Sequence, residues 1–77
     1  MKNSLGEIIK QHRKKSGLTQ SGLAKLAGCG KTVIFDIEHG KETVQLDTLL
    51  KICRVLNIRL FFESPLIEKT NIGEENK

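Results

Sequence analysis

The chain has 77 residues and a formal net charge of +4, with 13 Lys or Arg against 9 Asp or Glu. A chain of this length forms one small domain and is too short for the repeated βαβ units of a nucleotide-binding enzyme. It has no run of about 18 apolar residues that would span a membrane. Its N-terminus mixes charged and apolar residues unlike a secretory signal, so we expect a cytoplasmic protein.

The positive charge lies in the body of the chain rather than at its end. Residues 1–66 hold 11 Lys or Arg against 6 Asp or Glu, a net of +5, whereas residues 67–77 have a net of −1. A basic body favours an anionic partner such as nucleic acid. We therefore divide the chain into one domain, 1–66, and a flexible polar tail, 67–77.

The first 27 residues predict two short helices. The apolar face of the first is made by Leu5, Ile8, Ile9 and His12. Their spacing of three and four residues predicts an amphipathic helix over 4–15, and Gly17 supplies a left-handed residue to end it. Thr19 is a natural N-cap for a second helix over 19–27, and Gly28 permits a tight turn after it.

Two further helices follow this turn. Ile34 and Ile37 face inward from a third helix over 30–38, which His39 and Gly40 end. The fourth helix, LDTLLKICRVL, runs over 46–56, and Asn57 can adopt the left-handed conformation that stops it. Its predicted buried stripe consists of Leu46, Leu49, Leu50, Cys53 and Leu56.

After the fourth helix the sequence predicts a short strand over 58–62. The residues of this strand are Ile58, Arg59, Leu60, Phe61 and Phe62. An unpaired apolar strand leaves its backbone groups unsatisfied, and the simplest partner is the same strand in a second copy, which gives a two-fold homodimer. The alternative is an irregular tail that continues the core. The predicted fold is all-α, with four to five short helices and a C-terminal β-strand that pairs across a homodimer.

Residues 28–32, GCGKT, look like the end of a phosphate-binding P-loop. The P-loop pattern requires a glycine at position 25, which is Lys25 here, and a preceding strand where this chain has helical spacing. The glycines are better interpreted as a turn between the second and third helices. Two short helices joined in this way have the dimensions of a helix-turn-helix, which places its second helix in the DNA major groove.

The run LTQSGLAKLAGCGKTVIFDIEHG resembles the Cro and λ-repressor-like helix-turn-helix family, also called the Xre family. The residues that carry the resemblance are Thr19, Gln20, Leu23, Ala24, Gly28, Ile34, Glu38 and Gly40. The resemblance covers residues 4–57 and implies a λ-repressor-like bundle. The stretch VQLDTLLKICRVLNIRLFF is similar to the HipB-type antitoxin branch, whose members repress their own operon and add a C-terminal strand to a dimer sheet.

The resemblance also implies which residues contact DNA. Lys31, Thr32 and Phe35 fall where family members reach base edges, whereas a solvated first turn is the alternative for Lys31 and Thr32. Phe35 departs from the small polar residue common in the family, and packing against the second helix or a partner is its alternative role. A lysine can donate to guanine, and a threonine methyl or an aromatic ring can meet the thymine methyl.

The implied phosphate contacts are Gln20, Lys41 and Thr43, with Gln20 also bracing the third helix. A solvated position is the alternative for each of them. Arg13 and Glu38 match a family pair that forms an internal salt bridge between the first and third helices. Glu38 is therefore interpreted as structural rather than as an acid catalyst.

The sequence contains no pattern that indicates an enzyme or a metal site. Cys29, Cys53, His12 and His39 lack the paired spacing of zinc ligands, and the two cysteines are most simply reduced core thiols. A redox role for Cys29 stays open, because a thiol near a helix N-terminus can have a depressed pKa.

Together these features predict a homodimeric, sequence-specific repressor that binds an inverted-repeat operator in double-stranded DNA, without a cofactor and without a membrane. The resemblance points to the antitoxin of a HipBA-like toxin–antitoxin operon, with a HipA-like kinase toxin as a further partner. The alternative is a protein-binding antitoxin whose main role is neutralising such a toxin, with DNA binding secondary.

Overall fold

The computed structural model describes residues 4–62, 65 and 70–72, in which four α-helices precede two short strands. The helices are α1 (Leu5–Lys15), α2 (Gln20–Ala27), α3 (Lys31–Glu38) and α4 (Leu46–Leu56), and the strands are β1 (Leu60–Phe62) and β2 (Thr70–Ile72). The predicted all-α bundle with a C-terminal strand is confirmed, and every predicted helix is present. Within the described ranges, no helix has both the length and the apolar character needed to cross a membrane.

The ends of the helices follow from local residue chemistry. The Thr19 hydroxyl accepts a hydrogen bond of 2.9 Å from the N–H of Gly22 and so caps the start of α2. Gly28, with φ of 73°, ends α2, and Asn57, with φ of 63°, ends α4. Both residues take the left-handed conformation predicted for them, and the backbone N–H of each donates to carbonyl oxygens of the last helical turn.

The core lies where the four helices meet. Its buried members are Ile9, Leu23, Ala24, Ala27, Ile34, Ile37, Ile52 and Leu56. Helix α2 packs against α3 and α4, and α1 packs against the same two helices. One face of α3 is consequently held against both α1 and α2, while the other is left to solvent.

Two details of the buried faces differ from the prediction. Leu46 was expected in the stripe of α4 but is 59% exposed, whereas Ile52, outside that stripe, is 0% exposed. His12 was expected on the apolar face of α1 but is exposed, and the neighbouring Arg13 is buried instead. Periodicity alone does not settle these positions, because α4 has more apolar residues than one face can hold and Arg13 is buried through a tertiary partner.

The C-terminal strand has a partner within its own chain. Strand β1 pairs antiparallel with β2, so that Leu60 lies opposite Ile72 and Phe62 opposite Thr70. The strand predicted over 58–62 is present at Leu60–Phe62, but the premise that it lacks an intrachain partner is wrong. Residues 70–72 belong to the segment predicted as a tail, and three residues are too few to give a strand signal. The rest of 67–77 lies outside the described residues.

Candidate nucleic-acid interface

Helix α3 presents one buried and one exposed face. Ile34 and Ile37 are 0% and 2% exposed and lie in the core. Lys31 and Thr32 are exposed in the first turn, and Phe35 is 46% exposed one turn later. Because residues four apart are neighbours on a helix surface, the structure brings these three predicted base-contacting residues together on its outside.

Helix α1 holds α3 at close range through Gly6. This glycine is buried, and a Cβ atom at its position would overlap the backbone carbonyl oxygen of Ile37 and lie 3.2 Å from Cα of Glu38. The obstacle is backbone, which a change of rotamer cannot relieve. Gly6 therefore sets the distance between α1 and the end of α3.

The C-terminal end of α3, at Glu38, is held by a hydrogen-bonded ion pair. Arg13 donates from Nε to Oε2 of Glu38 at 2.6 Å and from Nη2 to Oε1 at 3.0 Å. Its Nη1 donates to the carbonyl oxygen of Leu18 at 2.8 Å, and the Gln20 amide donates to Oε1 of Glu38 at 3.1 Å. We call these four residues the clamp. It joins α1, the loop after it, α2 and α3 in one network.

The clamp keeps both charged groups ionised in a shielded environment. The side chains of Arg13 and Glu38 are only 10% and 1% exposed. Burial by itself raises the pKa of Glu38, but the hydrogen bonds from Arg13 and Gln20 outweigh it and hold that pKa below its ordinary value. The hydrogen bond to Glu38 raises the pKa of Arg13 despite its burial.

The outer face of α3 also contains a stacked pair of rings. The ring centroids of Phe35 and His39 are 4.0 Å apart, and their planes are inclined by 26°. The Nδ1 atom of His39 lies 2.8 Å from the carbonyl oxygen of Phe35. The exposed Phe35 side chain therefore has an aromatic neighbour at the end of α3.

The residues predicted to contact phosphates lie at the start of α2 and in the loop after α3. Gln20, half-buried at the start of α2, belongs to the clamp. Lys41 and Thr43 are both exposed in the loop after α3. The Lys41 ammonium lies 3.7 Å from the Asp36 carboxylate, and the Lys41 backbone N–H donates to the Asp36 carbonyl at 3.0 Å. The loop is thus anchored to α3, while the lysine side chain remains 56% exposed.

Comparison with known proteins identifies the class of this fold. A model of the helix-turn-helix family HTH_3 matches residues 9–62. The chain belongs to this family. It is 38% identical over 56 residues to the ImmF control region 10 kDa protein of Bacillus phage phi105, which covers 73% of this chain and 62% of the phage protein. It is 33% identical over 61 residues to the HTH-type transcriptional regulator y4mF of Sinorhizobium fredii, covering 79% and 80%.

Solved structures share the same helix-turn-helix architecture. The biofilm master regulator SinR in complex with DNA superposes with a TM-score of 0.65 at 34% identity, covering 70% of this chain and 87% of that one. The HipA–HipB–O2–O3 complex contains a chain that superposes with a TM-score of 0.69 at 30% identity, covering 79% and 86%. The predicted λ-repressor-like fold is confirmed, with α2 and α3 as its helix-turn-helix.

The two cysteines are partly or fully shielded from solvent, Cys29 in the turn between α2 and α3 and Cys53 in α4. Burial raises the pKa of Cys29, although the positive charge of Lys51 opposes the shift, and burial also raises the pKa of Cys53. A redox-active cysteine needs the opposite shift, toward thiolate. In the portion of the chain that the structure describes, no three His, Cys, Asp or Glu residues come together as a metal site.

The sequence did not reveal the roles of three residues that hold α3 or its side chains in place. Gly6 gave no signal, because a glycine within a helical pattern reads only as a weak helix former. The carbonyl of Leu18 became visible as a clamp member only in three dimensions. His39 was interpreted as a helix end, although its spacing of four from Phe35 would have indicated that the two rings meet.

Proposed function

We propose that this protein is a sequence-specific transcriptional repressor that binds an inverted-repeat operator as a homodimer, with α3 in the major groove. The observation that carries the proposal is the outer face of α3, where Lys31, Thr32 and Phe35 are exposed on a helix whose inner face is fully buried. A major groove admits a helix of this kind. The likeness to SinR in its DNA complex supports the same docking.

The three outer residues suit two chemically distinct targets in the major groove. The Lys31 ammonium suits O6 and N7 of guanine, since both atoms are acceptors. The Thr32 methyl and the Phe35 ring suit the C5-methyl group of thymine, which is the apolar feature of the major groove. Such contacts contribute about 1–3 kcal/mol of discrimination for each good pairing.

Phosphate contacts at both edges of α3 would orient this reading helix. The Gln20 amide uses one N–H for Glu38 and retains a second for a phosphate oxygen. The exposed Lys41 ammonium and Thr43 hydroxyl are suited to a phosphate on the other side. Contacts of this kind add affinity rather than sequence preference and weaken steeply with salt.

The homodimer would form through the C-terminal region, with residues 58–62 at the interface. Two copies related by a two-fold axis would present their recognition helices about 34 Å apart, one turn of DNA. A small domain of this size also gains stability by association.

Selection of bound sequences from random double-stranded DNA, at a stated salt concentration, tests the proposal directly. The expected result is an inverted repeat with half-sites one helical turn apart. Lys31→Ala and Thr32→Ala should then relax the preference at individual bases, while Lys51→Ala, which removes the same charge from α4, should leave it unchanged. Recovery of unrelated sequences, or unchanged discrimination in both α3 variants, would contradict the assignment.

A second candidate function is that of an antitoxin with a kinase-like partner. It is favoured by the likeness to a chain of the HipA–HipB–O2–O3 complex, which covers 79% of this protein. Purification from the native host distinguishes it from the first candidate. A stoichiometric kinase that co-purifies with both the wild type and the Lys31→Ala variant supports this role, whereas purification of the protein alone contradicts it.

A further inference from the structure

The Phe35–His39 pair is a built feature of the exposed side of α3. Phe35 is 46% exposed, and a solitary exposed phenylalanine would exchange freely among rotamers. Here the imidazole of His39 covers one face of the phenyl ring, with centroids 4.0 Å apart. The contact favours ring orientations that keep this stack.

The imidazole is itself held by the backbone. Its Nδ1 lies 2.8 Å from the Phe35 carbonyl oxygen, and because a carbonyl only accepts, Nδ1 must be the protonated donor. This hydrogen bond fixes the ring plane of His39 and directs Nε2 away from the helix backbone. The same residue, Phe35, therefore supplies both the carbonyl that orients His39 and the phenyl ring against which His39 stacks.

We infer that His39 is a positioning residue that holds the Phe35 ring against the C5-methyl group of a thymine in each half-site. The inference rests on the proposed function, since it needs α3 in the major groove. A ring fixed before binding loses less conformational freedom on contact, so the methyl group is read more strongly. His39 thus acts on base discrimination through Phe35 rather than through a base contact of its own.

The chain offers a matched control in its other described histidine. His12 is exposed in the last turn of α1, and its Nδ1 lies 2.7 Å from the Ile8 carbonyl oxygen four residues earlier. It therefore makes the same backbone hydrogen bond as His39 but stacks on no described aromatic ring. Replacing His12 removes a comparable histidine and leaves the Phe35–His39 pair intact.

The test uses the operator recovered by selection and replaces each thymine in turn with uracil, which removes only the C5-methyl group. For the wild type, the thymine position read by Phe35 should lose affinity about fourfold in each half-site, the value of one buried methyl group, and Thr32→Ala distinguishes this position from one read by Thr32. Phe35→Ala should abolish that penalty, His39→Ala should reduce it to less than about twofold, and His12→Ala should retain it. His39→Phe, which keeps a ring beside Phe35, should restore most of it.

Each other outcome overturns the inference at a recognisable step. If no operator is recovered, the proposed function itself fails. If an operator is recovered but no uracil replacement weakens wild-type binding, or the penalty persists in Phe35→Ala, Phe35 does not read a methyl group. If His39→Ala weakens thymine and uracil operators equally, His39 is a phosphate contact or a structural residue. Thermal unfolding of each variant confirms that the folded domain is being compared.

Discussion

The two faces of α3 differ in what holds their side chains. On the inner face, Ile34 is 0% exposed, and the Glu38 carboxylate accepts two hydrogen bonds from Arg13 and one from Gln20. On the outer face, Lys31 and Thr32 project into solvent, and Phe35 stacks on His39. The inner face determines where the helix lies, and the outer face determines what it can bind. Substitutions on the inner face should therefore lower the free energy of unfolding, whereas substitutions on the outer face should weaken DNA binding.

The largest expected effect comes from neighbouring residues on opposite faces. Ile34→Ala removes a fully buried side chain and should lower the free energy of unfolding by about 4 kcal/mol. Phe35→Ala should lower it by less than about 1 kcal/mol, because the ring is half exposed, yet should weaken operator binding. Urea unfolding and operator titration of both variants check this contrast, which fails if Phe35→Ala is the more destabilising change.

The next largest effect comes from the clamp. Glu38→Gln leaves the Arg13 guanidinium buried without its counter-charge and should destabilise the fold by about 3 kcal/mol. Glu42→Gln, which removes an exposed carboxylate from the loop after α3, serves as the control and should have little effect. Equal unfolding midpoints for the two variants would show that the clamp adds nothing to stability.

A smaller effect is expected at the contact between α1 and α3. Gly6→Ala forces a methyl group against the Ile37 carbonyl and should destabilise the fold by about 2 kcal/mol. Gly22→Ala makes the same change within α2, where the added methyl meets only the Thr19 hydroxyl at 3.2 Å and the Leu18 side chain at 3.7 Å. Since alanine favours a helix, this control should be neutral or stabilising. If Gly6→Ala does not lower the free energy of unfolding, α1 and α3 can move apart without cost and the prediction is wrong.

The smallest effect is a dependence of stability on pH. Because Glu38 has its pKa lowered in the folded state, the unfolded chain takes up the proton first as the pH falls. The stability gap between the wild type and Glu38→Gln should be constant above the ordinary glutamate pKa of about 4.3 and should narrow below it. Urea unfolding of both proteins from neutral to acid pH measures the gap, and a gap that does not change with pH would refute the coupling.

The sequence was most informative where a structural choice is local. Thr19, Gly28 and Asn57 mark helix ends through their own hydrogen bonding and backbone preferences, so the four helices were predictable. The outward direction of Lys31 and Thr32 follows from the inward spacing of Ile34 and Ile37. The Arg13–Glu38 ion pair was expected only from the family resemblance, because no local pattern relates residues 25 positions apart.

The sequence was least informative where more than one residue could be buried or more than one segment could pair. Helix α4 has apolar residues on more than one side, so its packing against α1 and α2 decides that Ile52 is buried and Leu46 is exposed. His12 and Arg13 are adjacent in α1, and either could be buried. Arg13 is the buried residue because its charge is paired with the Glu38 carboxylate. Strand β2 is defined by its pairing with β1, and a segment of three residues carries too little sequence pattern to predict that pairing.

The network joining Arg13, Leu18, Gln20 and Glu38 has a kinetic consequence. Because the network ties α3 to α1, to the loop after α1 and to α2 in the unbound protein, α3 does not need to become ordered when it binds a DNA duplex. We therefore expect encounter with DNA to proceed as a rigid-body collision, at a rate governed by diffusion and by the attraction between a basic surface and a polyanion. Discrimination between correct and incorrect sites would then appear in the lifetime of the complex rather than in its speed of formation.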